Sequence, residues 1–175
     1  MPSSPNPMLK MIDDGAVGKP QEHHLGAGVN GVDVNYSEAL MKLLAEEGFT
    51  HCFFVPGGNI MHLLNAARKT MKCIPFVHEH SATVATEYFN AVQNQDHNRR
   101  AFTLVTAGPG LTNAVTGIAG AYLESRECLI IGGQVKSEDL SPHHVRQRGI
   151  QEIDGVRLVQ SICKDVLQIN SQVPL

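Results

Sequence analysis

Four short apolar runs, each nearly unbroken, constrain this chain more than anything else in it: HCFFV (51–55), CIPFV (73–77), AFTLVT (101–106) and CLIIGG (128–133). Strands that face water on one side alternate apolar and polar residues; strands covered on both faces do not. Each run is separated from the next by a segment with helical spacing. SEALMKLLAEEG (37–48) precedes the first run. NIMHLLNAARKT (59–70), SATVATEYFNAVQ (81–93) and LTNAVTGIAGAYLES (111–125) follow the first three. After a polar loop, IDGVRLVQSIC (153–163) reads as a further helix and DVLQI (165–169) as a last strand. Strand alternating with helix through short links predicts an α/β fold, a parallel, doubly wound sheet with helices on both faces. In the first helix, Ser37 is the expected N-cap and Gly48 the stop.

Residues 1–34 break this pattern. They are rich in Gly, Pro, Ser and Asn and carry no sustained period, so they read as a flexible N-terminal arm. His23 and His24 fall in it and read as part of a solvated tail. The domain is expected to occupy residues 35–170.

Composition removes several classes of partner. The formal net charge is -3 and the longest basic run is the pair Arg99-Arg100, which argues against nucleic acid. No apolar run approaches the ~20 residues of a membrane span, and MPSSPNPMLK has no signal-peptide core. Cys52, Cys73, Cys128 and Cys163 form no CxxC pair and read as core residues of a reducing compartment. A cytoplasmic location is the expectation.

In a doubly wound sheet, ligands bind beyond the carboxyl ends of the strands. Four unusual loops fall there: VPGGN (55–59), HEH (78–80), AGPG (107–110) and GGQ (132–134). GPG precedes a helix but lacks the lysine of a phosphate-binding P-loop, and its spacing fails GxGxxG. Taken alone it is a tight strand-to-helix turn. Glu79, taken alone, is a helix-start acid favoured by the dipole. Its place in a row with three glycine loops favours a functional role. His78 and His80 suggest a metal, but HExxH is absent and three or four convergent ligands are needed. No metal site is expected in this chain. His143 and His144 sit in the polar loop SPHHVRQRG, and no GxSxG elbow supports a hydrolase.

Four motifs in order carry a resemblance. HEHSATVATEYFNA (78–91) resembles the HE-x-x-A segment of thiamine-diphosphate-dependent enzymes. VPGGN stands before it, and TAGPGLTNAVTGIAGAY and then GGQV after it, in that family's order. The chain is most similar to the N-terminal pyrimidine-binding domain of the acetolactate synthase group, and RQRGIQEID resembles that group's segment near the end of the domain. The resemblance implies that Glu79 exchanges a proton with N1′ of the cofactor's aminopyrimidine, so that the cofactor's own amino group can deprotonate thiazolium C2. It implies that Pro56, Gly57 and Gly58 lie beside the reactive centre, and that Pro109 and Asn113 lie near the aminopyrimidine. It turns Asn59, His80 and Gln134 toward a substrate pocket. His80 is a departure, since acetolactate synthases often carry glutamine there.

The resemblance also implies what this sequence does not contain. No GDG followed by a distant asparagine is present, so Mg²⁺ and the diphosphate are expected to be held by a separate diphosphate-binding domain. That domain is expected on a longer chain or on a second subunit. Residues 171–175 are then a truncated linker. FAD is left open, because it belongs to a middle domain beyond this stretch. The small residues of 111–125 suit packing against a second copy, so a homodimer or higher oligomer is expected. The implied reaction is decarboxylation of a small 2-oxo acid such as pyruvate, with transfer of the two-carbon unit to an acceptor carbonyl. The alternatives are a small subunit of a two-chain 2-oxo acid decarboxylase of the sulfopyruvate or phosphonopyruvate type, or a non-catalytic dimerising or ligand-binding domain.

Overall fold

The structure, a computed structural model, describes residues 35–93, 99–141 and 145–169. The expected arm (1–34), the expected linker (171–175), His23, His24, His143 and His144 lie outside them. Helix α1 (Tyr36–Glu46) begins just before the anticipated cap. Asn35 is the N-cap, its Oδ1 accepting from the Ser37 N–H at 2.9 Å. Ser37 therefore receives the cap instead of supplying it. Gly48 does end the helix: at φ 86° it takes a conformation that costs a side chain dearly, and its N–H bonds Ala45 O.

Strands β1 (Phe49–Phe54), β2 (Lys72–Pro75), β3 (Arg100–Val105) and β4 (Leu129–Gly132) form one parallel sheet in the order β2-β1-β3-β4. Between them run α2 (Met61–Thr70), α3 (Glu79–Gln93) and α4 (Pro109–Leu123), and a short α5 (Gly155–Val159) follows β4. Side chains alternate across the strands and sort the helices into two layers. Cys52, Phe102 and Leu104 meet Met41 and Leu44 of α1 and Ala66 and Ala67 of α2. On the opposite face Phe53 and Ala101 meet Ala82 of α3, and Val105 meets Ala114 and Ile118 of α4 and Val159 of α5. Both faces of β3 are covered, which is why all of its residues after Arg100 are buried.

Three elements differ from the expectation. Helix α3 starts at Glu79, two residues early, because His78 caps it: Nδ1 accepts the His80 N–H at 3.2 Å and the His78 carbonyl takes the Ala82 N–H. The helix expected over 153–163 is only the five residues of α5, opened by Asp154 accepting from Arg157 N–H. The run 165–169 is not a strand. A strand needs a ladder partner, and this stretch instead sets Val166 against the cluster around Val105.

A buried threonine ladder docks α3 on β3. Thr86 Oγ1 lies 2.6 Å from Thr103 Oγ1 and donates to Ala82 O at 3.1 Å. Thr86→Val keeps the shape and removes the hydroxyl. It is expected to cost about 1 kcal/mol, read as a lowered urea midpoint with an unchanged m-value.

The connections dictate where a ligand fits. From β1 the chain turns through α2 to β2 on one side; from β3 it turns through α4 to β4 on the other. The loops after β1 and β3 therefore diverge to opposite faces and leave a crevice at the carboxyl ends of two neighbouring strands.

Candidate functional site

Four segments reach that crevice. Residues 55–59 follow β1, residues 76–79 follow β2, residues 106–110 follow β3 and residues 133–135 follow β4. Thr106, the first residue beyond β3, is the hub. A Cβ on Gly57 would stand 2.3 Å from Thr106 Cβ, so the loop after β1 comes this close only because residue 57 has no side chain. Thr106 Oγ1 donates to Asn59 Oδ1 at 3.4 Å, and Asn59 Nδ2 donates to Gln134 O at 3.4 Å. One line of contacts thus joins the loops after β1, β3 and β4. Gly58, by contrast, is exposed, and nothing lies within 4 Å of where its Cβ would be.

Glu79 is the buried acid of the site, 7% exposed although it opens a helix. Its Oε2 accepts from Asn113 Nδ2 of α4 at 3.0 Å. Its Oε1 lies 3.6 Å from where a Cβ on Gly110 would sit. A Cβ at 110 would clash with Thr106 Cγ2 at 2.8 Å and make ordinary contact with this oxygen. The arrangement is a buried carboxyl fixed by one amide, with glycine backbone beside its second oxygen.

The anticipated residues do not all meet at one point. Glu79 and Asn113 are hydrogen-bonded partners, and Gly57 and Asn59 are tied to the Thr106 hub. Pro56, Gly58 and Pro109 are exposed on the rim. Gln134 has its amide engaged locally: Nε2 donates to Ile153 O at 3.2 Å and Oε1 accepts from Val135 N–H at 2.9 Å. Its side chain shapes the wall. The His80 ring is exposed beside that of His78, their centroids 6.4 Å apart. Among the described residues no group of three or more His, Cys, Asp or Glu is arranged to hold a metal.

Three residues of the site were not anticipated. Thr106 is one; its place just before AGPG was the available signal. Gln151 is the second: its carbonyl oxygen would lie 2.4 Å from a Cβ on Gly108, whose φ is 60°. The loop after β4 thus packs directly on the GPG turn. Glu152 is the third and holds that loop in shape, its carboxylate accepting the N–H groups of Ser141 (2.5 Å), Arg148 (2.9 Å) and Gly149 (2.9 Å).

These three backbone N–H groups, with a smaller contribution from the Arg148 charge and against a burial penalty, hold the Glu152 carboxyl below its usual range. A depressed folded value stabilises the loop at pH above the unfolded value, and the stabilisation is lost as pH falls through the folded one. Glu152→Gln can offer only one acceptor oxygen. At neutral pH it is expected to accelerate amide exchange at Arg148 and Gly149, and to remove the loosening at acid pH that is expected for the parent, both read by NMR.

Comparison with known proteins places these observations among relatives. A family model described as thiamine pyrophosphate enzyme, N-terminal TPP binding domain, matches residues 34–158. An acetolactate synthase large subunit of Buchnera aphidicola subsp. Acyrthosiphon pisum is 36% identical over 131 residues, 73% of this chain and 21% of that protein. An acetolactate synthase large subunit of Lactococcus lactis is 34% identical over 135 residues, 76% of this chain and 22% of that protein. A 2-hydroxyacyl-CoA lyase 2 of Caenorhabditis elegans is 30% identical over 134 residues, 75% of this chain and 19% of that protein. The chain spans about a fifth of the length of the curated relatives it matches.

Proposed function

The chain belongs to the thiamine pyrophosphate enzyme family, as a pyrimidine-binding domain like that of acetolactate synthase large subunits, and from this we propose that it supplies the proton-handling half of a 2-oxo acid decarboxylation site. The observation that carries the reading is Glu79: a buried carboxyl at the sheet's switch point, held on one oxygen by Asn113. The residues fit the cofactor's aminopyrimidine. Gly58 borders open space, and the second Glu79 oxygen lies beside the backbone of Gly110.

When bound, thiamine diphosphate supplies the electron sink for decarboxylation, chemistry that side chains lack. In this reading Glu79 holds and passes a proton at N1′ of the aminopyrimidine, and Asn113 keeps its carboxyl from rotating. Pro109, at the start of α4, and Pro56, Gly57 and Gly58, after β1, border the ring and the reacting carbon. Asn59 and His80 border the substrate, and the backbone around Gln134 closes one wall. Mg²⁺ and the diphosphate are assigned to a diphosphate-binding domain elsewhere in the whole protein, since this chain spans only about a fifth of the length of its relatives.

The whole protein is then acetolactate-synthase-like. It takes a small 2-oxo acid such as pyruvate and hands two carbons to an acceptor carbonyl. The similarity to large subunits favours a longer chain over a second small subunit. Pairing into a dimer through the small residues of α4, and a cytoplasmic location suited to four free thiols, belong to the same reading. No helix among the described residues is long and apolar enough to cross a membrane. The test is CO₂ release by the intact protein given thiamine diphosphate, Mg²⁺ and pyruvate or a longer 2-oxo acid. Cofactor-dependent release is expected. No release from any 2-oxo acid, with the cofactor shown to be bound, overturns the reading.

A further inference from the structure

Two of the four cysteines are brought together by the sheet itself. Cys52 of β1 and Cys73 of β2 are direct register partners in a parallel pair, so both side chains leave the same face at the same level. Neighbouring strands lie about 4.7–4.9 Å apart, inside the Cα separation a disulfide spans. Both residues belong to the cluster under α1 and α2, Cys52 wholly buried and Cys73 partly so. Because β2 is the edge of the sheet, Cys73 is the member that solvent reaches.

We propose that Cys52 and Cys73 form a peroxide-responsive dithiol that closes to a disulfide across β1 and β2. The two sulfurs differ as such a pair requires. Cys73 is the partly exposed member: interaction between the two thiols lowers Cys73 and lifts Cys52, burial lifts Cys52 further and opposes the lowering of Cys73, and the Arg68 charge adds to that lowering. Cys73 is thus the nucleophile. Its thiolate attacks one peroxide oxygen, breaking the O–O bond and releasing hydroxide, which takes up a proton to leave as water; Cys73 becomes a sulfenic acid. The Cys52 thiol then attacks that sulfur. The S–O bond breaks, a second water leaves, and the S–S bond forms. The peroxide is reduced and the two thiols are oxidised. A thiol reductant reverses the step. Cys128, pushed up to about 12 by burial, and Cys163, raised for the same reason, are poorer nucleophiles and serve as internal controls.

The test uses the intact protein, folded, exposed to hydrogen peroxide, then denatured and alkylated. Peptide mass analysis is expected to show loss of alkylation at Cys52 and Cys73 together, one cross-linked peptide pair lighter by two hydrogens, and recovery with dithiothreitol. Cys128 and Cys163 are expected to stay fully alkylated. In Cys52→Ser, Cys73 should be trapped by dimedone as the sulfenic acid. The proposal is overturned if all four thiols remain alkylated. It is equally overturned if the bridge forms between other cysteines, or if wild-type Cys73 stops at the sulfenic acid with Cys52 still free. Each of these outcomes is read on the parent protein, so a variant that fails to fold does not blunt the test.

Discussion

Glu79→Gln is expected to lower turnover of the intact holoprotein by about 10²–10⁴-fold, the range a positioned proton-transfer group contributes, while leaving the fold in place. The geometry makes this substitution informative. Glutamine keeps an acceptor oxygen for Asn113 Nδ2, which now bonds Glu79 Oε2 at 3.0 Å. It also keeps the size and shape of the side chain, so the domain should unfold at much the same urea concentration. Only the ability to give and take a proton at that point is lost. The distinguishing readout is exchange of the cofactor's C2 proton, followed by quenched NMR. Slowed exchange with intact cofactor binding would place the defect at proton handling. Unchanged exchange and unchanged affinity would remove Glu79 from the mechanism. Asn113→Ala is the companion variant, expected to lower turnover less, because the carboxyl remains and only its fixed orientation is lost.

Gly108→Ala is expected to cost about 2–5 kcal/mol, combining strain at an unfavourable backbone conformation with overpacking. Gly108 sits at φ 60° and ψ -116°, where side chains are rarely tolerated, and a new Cβ would lie 2.4 Å from the Gln151 carbonyl oxygen. That neighbour is backbone and cannot swing aside. Against a typical total of about 5–15 kcal/mol, the loss is large and should appear as a marked fall in the urea midpoint. Gly58→Ala is the control. Nothing stands within 4 Å of its Cβ position, so stability should hold within about 0.5–1 kcal/mol. If Gly58 borders the cofactor, its affinity should change while the urea midpoint does not. Equal destabilisation by the two substitutions would contradict the packing described for the GPG turn.

The layered α/β sheet was legible through its unbroken apolar runs, which track burial on both faces in the central strand β3, while β2 and β4 carry the same composition with more exposure. Glu79 and Asn113 were singled out through motif order, although nothing in their spacing, 34 residues apart, announces that their side chains touch. The misses share a cause. The true cap at Asn35, the early start of α3 and the cap by His78 depend on which side chain reaches a backbone N–H, and several neighbours are chemically able to do so. The run 165–169 has strand composition without a partner, and pairing is a property of the sheet, not of the segment. Thr106 and Gln151 act through close approach to glycines, so their importance lies in what their neighbours lack. Gln134 was assigned to the pocket by motif, whereas its amide is occupied by the backbone at Ile153 and Val135.

The contact of Gln151 with Gly108 has a bearing on time. A chain is made from its N-terminus, and its segments become available in that order. All four strands are complete once Gly132 has been added, and a nascent chain of that length already carries Glu79, Asn113 and every glycine of the crevice up to that point. It does not yet carry the residue that lies against the GPG turn, nor the Glu152 carboxylate that shapes the covering loop. The residues of the sheet are therefore all made before the loop that covers the crevice edge, and the emergence of residues 141–152 decides when the GPG turn gains its packing partner.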